Sequence, residues 1–108
     1  MTLNEYQKAI EQFAIYPGAG AGNDSALTYC ALGLVGEAGE VAEKLKKKLR
    51  DGMFETALFA KELGDVLWYI ARLSKELNMS LEEVASMNIA KLTDRKVRDV
   101  IKGNGDAR

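Results

Sequence analysis

The stretches Glu37-Ala38-Gly39-Glu40 and Glu62-Leu63-Gly64-Asp65 decide how this chain is read. Each places two carboxylates three residues apart inside a helical pattern, and residues at i and i+3 lie side by side on one helix face. The intervening residues 41–61 include Asp51-Gly52, a turn signal. The two helices are therefore expected to pair as an antiparallel hairpin and to gather four acidic side chains. Two unit charges about 5 Å apart repel by roughly 3 kcal/mol at an effective dielectric near 20. A cation has to neutralise such a cluster, and four hard oxygen ligands suit Mg²⁺ or Mn²⁺.

Outward from these stretches the chain reads as all helical. Leu27, Ala31, Leu34, Ala38, Val41, Leu45 and Leu49 recur every three or four residues. They mark a helix from a cap at Asn23 or Asp24 to about Arg50. Phe59, Val66, Ile70, Leu73 and Leu77 mark another, from about Phe54 to Leu77. Thr2 and Glu5 form a capping box for a first helix over Leu3–Ile15, and Ser80 with Glu83 opens a fourth that ends near Arg95. Tyr16–Asp24 contains Pro17, Gly18, Gly20 and Gly22 and reads as a mobile connector. Its glycines follow no strand and precede no Gly-Lys-Ser/Thr, so they do not make a phosphate loop. The tail, residues 96–108, is expected to form a short helix near Val97–Ile101 and then fray. The expected fold class is all-α, a four-helix bundle, with residues 1–108 as a single domain.

Both central helices carry small or apolar residues on their far sides too: Leu32, Gly36 and Gly39 on one, Ala60, Leu67, Trp68 and Ala71 on the other. A helix apolar all round is normally buried all round, and two further helices cannot cover both sides. Gly33, Gly36 and Gly39 together cost about 3 kcal/mol of helix propensity relative to alanine, a cost that close approach of another helix would explain. The bundle is accordingly expected to be completed by homo-oligomerisation, a two-fold homodimer first of all, with Trp68 at the subunit interface.

Fifteen basic and sixteen acidic residues leave a net charge of −1, so no global field draws the chain to nucleic acid or to a membrane surface. No stretch approaches the roughly 20 apolar residues of a membrane span. Met1-Thr2-Leu3-Asn4-Glu5 lacks the basic and apolar regions of a signal peptide, and the expected location is cytoplasmic. The single Cys30 excludes an internal disulfide and, on the apolar stripe between Leu27 and Leu34, reads as a small buried hydrophobe. Histidine is absent, which removes Ser-His-Asp and Cys-His nucleophiles and His-ligated zinc. Carboxylates, amines, hydroxyls and metal remain to do chemistry.

Within the acidic set the residues differ. Glu40 forms an ordinary i,i+4 pair with Lys44, as Glu43 does with Lys47, so a solvated face is its simplest reading. Glu62 projects at the edge of the apolar stripe beside Leu58, Phe59 and Val66, with no Lys or Arg within one turn on that face. A carboxylate so placed calls for a metal or a partner chain. Asn88, Lys91 and Arg95, at spacings of three and four on the fourth helix, form a cationic stripe. It is either a solvated basic face or a phosphate grip, with Lys as point charge and Arg as fork. Acidic ligands beside such a stripe form the pattern of phosphoryl chemistry on a polyphosphate. Tyr69, one turn beyond Asp65, either faces substrate or packs.

Gly33-Leu34-Val35-Gly36-Glu37-Ala38-Gly39-Glu40-Val41, followed by Glu62-Leu63-Gly64-Asp65-Val66-Leu67-Trp68-Tyr69, resembles the MazG-like all-α nucleoside triphosphate pyrophosphohydrolases, whose signature is E-x-x-E, a spacer, then E-x-x-D. Asn88-Ile89-Ala90-Lys91-Leu92-Thr93-Asp94-Arg95 and the ending Gly103-Asn104-Gly105-Asp106-Ala107-Arg108 are similar to the C-terminal half of the same family. The resemblance covers about residues 25–108 and implies a MazG-like bundle and Mg²⁺-dependent cleavage of a nucleoside triphosphate to monophosphate and pyrophosphate. It implies Glu37, Glu40, Glu62 and Asp65 as metal ligands and catalytic groups. Asn88, Lys91 and Arg95 would contact phosphate or sugar, and Tyr69 would line the nucleotide pocket. Some relatives carry a further glutamate where this chain has Gly36. Subunits pairing into homodimers or dimers of dimers are implied as well. Phosphoribosyl-ATP or dUTP/dCTP are alternative substrates within the same superfamily. A non-catalytic helical binding module, with the acids as surface charge, is the alternative from another class.

Overall fold

Cap chemistry sets the helix boundaries. A computed structural model, describing residues 1–108, contains four α-helices and no strand. Helix α1 (Leu3–Ala9) starts at the predicted box: Glu5 N donates to Thr2 Oγ1 and Thr2 N to Glu5 Oε1, each at 3.0 Å. It tightens into a 3₁₀ turn over Ile10–Phe13, so the regular first helix is shorter than its sequence pattern. Helix α2 (Asp24–Asp51) is capped by Asn23, whose Oδ1 accepts from Ala26 N at 3.0 Å. It ends on Gly52, which takes φ 72° and donates to Lys48 O at 2.8 Å, a left-handed stop that suits glycine. Helix α3 (Thr56–Glu76) returns along α2, and the Ser80–Glu83 box opens α4 (Leu81–Val97).

The core sits at one end of the α2–α3 hairpin. Ile10, Ala71 and Leu81 meet where the 3₁₀ turn, α3 and α4 converge, and Tyr16, Ala26 and Cys30 form a second cluster. Trp68 packs against both clusters within the chain and keeps part of its surface exposed. The buried Gln7 ties the elements together: its Nε2 donates to Ala71 O (3.2 Å) and Met79 O (3.1 Å), and its Oε1 accepts from Leu81 N (2.9 Å). Such satisfied polar ties fix register where apolar packing alone would slide. Cys30 is fully buried, as its place on the stripe predicts. The outer half of the predicted α2 stripe is not core: Leu45 and Leu49 stay exposed, as do Val35 and Leu32.

Two segments differ from expectation because buried or basic side chains hold them. The glycine-rich connector is pinned by Glu76, whose carboxylate accepts from Tyr16 Oη (2.5 Å), Gly20 N (2.8 Å) and Gly22 N (3.0 Å). Arg72, only 2% exposed, donates through Nε to Tyr16 Oη at 3.1 Å, and its Nη2 lies 3.7 Å from Glu76. Burial alone would raise the Glu76 pKa; the three hydrogen bonds and the Arg72 charge outweigh it and hold the carboxyl below its ordinary value. The tail is likewise tied back by side-chain hydrogen bonds. Arg108 donates to the carbonyls of Val100, Gly105 and Ile101 at 3.0, 2.5 and 2.8 Å, and turns rather than a helix follow Val97.

The molecule is open for its mass. A monomer of 11.8 kDa exposes about 5,900 Å² by the usual scaling, whereas this chain exposes 7720 Å². Its radius of gyration is 16.4 Å against about 13 Å for a compact domain of this length. No helix is long and apolar enough to cross a membrane.

Candidate active site

The hairpin register brings the two acidic motifs together. Carboxylate oxygens of Glu37 from α2 and of Glu62 and Asp65 from α3 all lie within 4.8 Å of one another. Glu37 and Glu62 are half-buried and Asp65 is exposed. Burial, then the charges of Asp65, Glu62 and Glu40, push the Glu37 carboxyl above its ordinary pKa. Glu40 is exposed and stands outside the trio, although its charge reaches Glu37. Three of the four sequence-predicted carboxylates therefore converge, and the fourth flanks them. Carboxylate oxygens crowded in this way fit a hard divalent cation such as Mg²⁺ or Mn²⁺.

A cation from the opposite helix also faces the cluster. Lys44 Nζ lies 3.9 Å from Glu62 Oε1. The reading that no basic side chain serves Glu62 holds only along its own helix; α2 supplies one across the groove. The pairing also diverts Lys44 from the Glu40 pair expected of it, whereas Glu43 does meet Lys47 (3.8 Å) and Lys46 (3.2 Å).

Aromatic side chains form one wall. Tyr69 is half-buried and packs over Gly33, where a Cβ would overlap its ring. One of the three α2 glycines is thus required by a contact inside the chain, whereas a Cβ at Gly36 or Gly39 would meet nothing within 4 Å. Tyr69 lies 5.0 Å from Trp68 and 6.5 Å from Tyr29, ring centre to ring centre. Burial, Tyr29 and then the Glu37 charge raise its phenol pKa. Tyr6 from α1 is raised too, by burial and then by Asp65. The carboxylates thus lie between α2 and α3, with Tyr6 of α1 near enough to feel the Asp65 charge.

The cationic stripe is elsewhere. Asn88 and Lys91 line a depression with Met79, Val84 and Asp106 that contains none of the four carboxylates. Lys91 Nζ meets Asp106 Oδ1 at 2.9 Å, and the buried Arg95 reaches Asp106 O at 2.6 Å and Oδ1 at 3.1 Å. Within one chain, then, the acidic and basic constellations are separate, and the folded-back tail neutralises the basic one. Sequence reasoning missed the Tyr16–Arg72–Glu76 set altogether. Its available signal was an Arg and a Glu four apart amid the apolar residues Ala71, Leu73 and Leu77.

The profile of the MazG nucleotide pyrophosphohydrolase domain matches residues 26–98. The chain is 46% identical over 114 residues to the Gene 37 protein of Mycobacterium phage L5, an alignment covering 100% of both chains. No solved structure matches it.

Proposed function

The chain belongs to the MazG nucleotide pyrophosphohydrolase family, and from that premise we propose that it hydrolyses a nucleoside triphosphate, NTP or dNTP, to the monophosphate and pyrophosphate, with Mg²⁺ as cofactor. The observation that carries this reading is the convergence of Glu37, Glu62 and Asp65 within 4.8 Å across the hairpin. Those three side chains, with Glu40 at their edge, would hold the ion. When bound, a divalent ion neutralises polyphosphate charge and makes a water more acidic. Whichever of the two α2 acids, Glu37 or Glu40, is not fully engaged with the ion would take a proton from that water. Lys44 balances charge at Glu62 while phosphate is absent.

Asn88, Lys91 and Arg95 grip phosphate in this reading, supplied by a second subunit of the oligomer. The surface in excess of a compact monomer, about 1,800 Å² per chain by the same scaling, is in the range that permanent homodimers bury. A homodimer or dimer of dimers covers exposed Leu32, Val35 and Leu49 and brings another chain to Gly36 and Gly39.

The test is pyrophosphate release from a panel of NTPs and dNTPs, including dUTP and dCTP, with phosphoribosyl-ATP alongside, each with and without Mg²⁺. Metal-dependent release with the monophosphate as co-product is the expected result. A folded protein that releases no pyrophosphate from any of them would end this reading in favour of a binding module.

A further inference from the structure

The two cations of the α4 stripe share one acceptor. Asp106 Oδ1 takes a hydrogen bond from Lys91 Nζ at 2.9 Å and another from Arg95 Nη2 at 3.1 Å. Arg95 Nη2 also donates to the Asp106 carbonyl at 2.6 Å. Like charges at i,i+4 on a helix repel, and no other acid pairs with either side chain. A single carboxylate oxygen therefore sets how far apart the ammonium and the guanidinium stand. Its bonds to Lys91, then to Arg95, hold the Asp106 carboxyl below its ordinary pKa, so it is charged at neutral pH.

The segment after α4 is shaped to deliver this carboxylate. Asp99 at φ 58° and Gly105 at φ 79° are left-handed turns that send the chain back along the helix. Val100 N donates to Arg95 O at 2.9 Å. Arg108 closes the turn on three carbonyls, and a Cβ at Gly103 would lie 2.5 Å from its Cδ. Asp106 is thus fixed by the backbone on either side of it.

Both cations keep donors to spare. A lysine ammonium has three, and Lys91 gives one of them to Asp106. Arg95, although buried, makes both its hydrogen bonds through Nη2, so Nε and Nη1 have no acceptor within the chain. Those two nitrogens reach solvent, because Arg72 Nη1 is the sole enclosed side-chain nitrogen without a partner. Lys91 and Asn88 open onto the same depression as Asp106. The Asp106 side chain is 84% exposed, so water screens its charge and it opposes an arriving phosphate only weakly.

We propose that Asp106 is a positioning residue of the phosphate grip: it holds Lys91 and Arg95 at a fixed separation and leaves donors of both open to phosphate oxygens. This rests on the nucleotide reading above and adds a residue to it. A free lysine loses rotamer freedom when an anion immobilises it, and one already held loses less. Asp106 touches the cations and not the reacting atoms, so it acts on affinity more than on bond cleavage.

The experiment is calorimetric titration of the full chain with inorganic pyrophosphate in the presence of Mg²⁺, beside steady-state kinetics with a nucleoside triphosphate. Asp106→Asn keeps the shape and loses the charge. It is expected to weaken pyrophosphate binding about 3- to 10-fold and to raise KM by a similar factor, with a smaller change in kcat. Asp106→Glu restores a carboxylate and is expected to recover part of the loss. In a Lys91→Met background, Asp106→Asn is expected to cost less than it does alone, since residues that act as one unit are not additive. Unchanged binding by Asp106→Asn, full additivity in the double variant, or an equal loss in Asp106→Glu would each overturn the proposal. Tighter binding by Asp106→Asn would overturn it too, by making the carboxylate a competitor for the grip, as would a wild-type chain that binds no pyrophosphate. Pyrophosphate binding needs no turnover. Variants that rank as expected in a chain that hydrolyses nothing count against the enzymatic reading alone.

Discussion

At Glu37, partial burial and three neighbouring carboxylates all act in one direction, raising its pKa above the ordinary 4.5. A raised folded pKa means that the fold disfavours the ionised form. The stability linked to this group is fully present below 4.5 and is lost as pH rises through the folded value. Glu37→Gln is therefore expected to raise the Tm of the metal-free protein at pH 7, by about 2–5 °C, and to shrink the further rise on adding Mg²⁺. Thermal melts with and without the ion check both. Glu62→Gln keeps shape and removes charge, and is expected to cut kcat by more than the roughly 10–100-fold that loss of an outer-sphere partner costs at a metal site. Steady-state kinetics beside an unchanged circular dichroism spectrum would establish it; turnover near wild type would remove Glu62 from the site. The acidic motifs were legible because i,i+3 spacing is a local property. The Lys44–Glu62 approach was not, since it depends on the register between two helices, which no spacing along one of them encodes.

Helices and loops are held here by a few polar side chains, and these elements carry the next predictions. Glu76 joins the end of α3 to the glycine connector through two backbone N–H groups and Tyr16. Its folded pKa is depressed, so its contribution is present above the ordinary 4.5 and is lost as pH falls through the lower folded value. Glu76→Gln is expected to cost about 3 kcal/mol at pH 7, because it leaves the buried Arg72 with only the exposed Glu11, 4.0 Å away, as counter-charge. It also flattens the acid limb of stability against pH; urea melts at pH 7 and pH 3 measure the two effects together. Gly33→Ala pushes a methyl into the Tyr69 ring and is expected to cost about 1–3 kcal/mol, against the roughly 1 kcal/mol gain the same change brings in an open helix. Gly36→Ala, with open space around it, is the control. Helix caps at Thr2, Asn23, Ser80 and Gly52 were all readable, since capping is settled within four residues. The anchored connector was read as mobile because its partner, Glu76, lies more than fifty residues along the chain.

Over the whole molecule, the chain exposes more surface than a compact monomer of its mass. Sedimentation of the full chain is expected to give at least twice 11.8 kDa, with a Tm that rises with protein concentration as folding linked to association requires. A monomer at all concentrations would leave the excess exposed surface without a purpose. The all-α class and the order of four helices followed from apolar periodicity, which averages over long segments and survives local error. The extent of the core did not. Leu45 and Leu49 continue the α2 stripe in sequence but run beyond the reach of α1 and α4, and periodicity cannot tell a face covered by its own chain from one left for another. Cys30 reports on the same core from the inside. It is the only thiol, it is wholly enclosed beside Tyr16 and Ala26, and burial pushes its thiol pKa up. An alkylating reagent reaches it only when that corner comes apart, so the labelling rate under native conditions is a clock for opening that nature has already installed, with no probe to introduce.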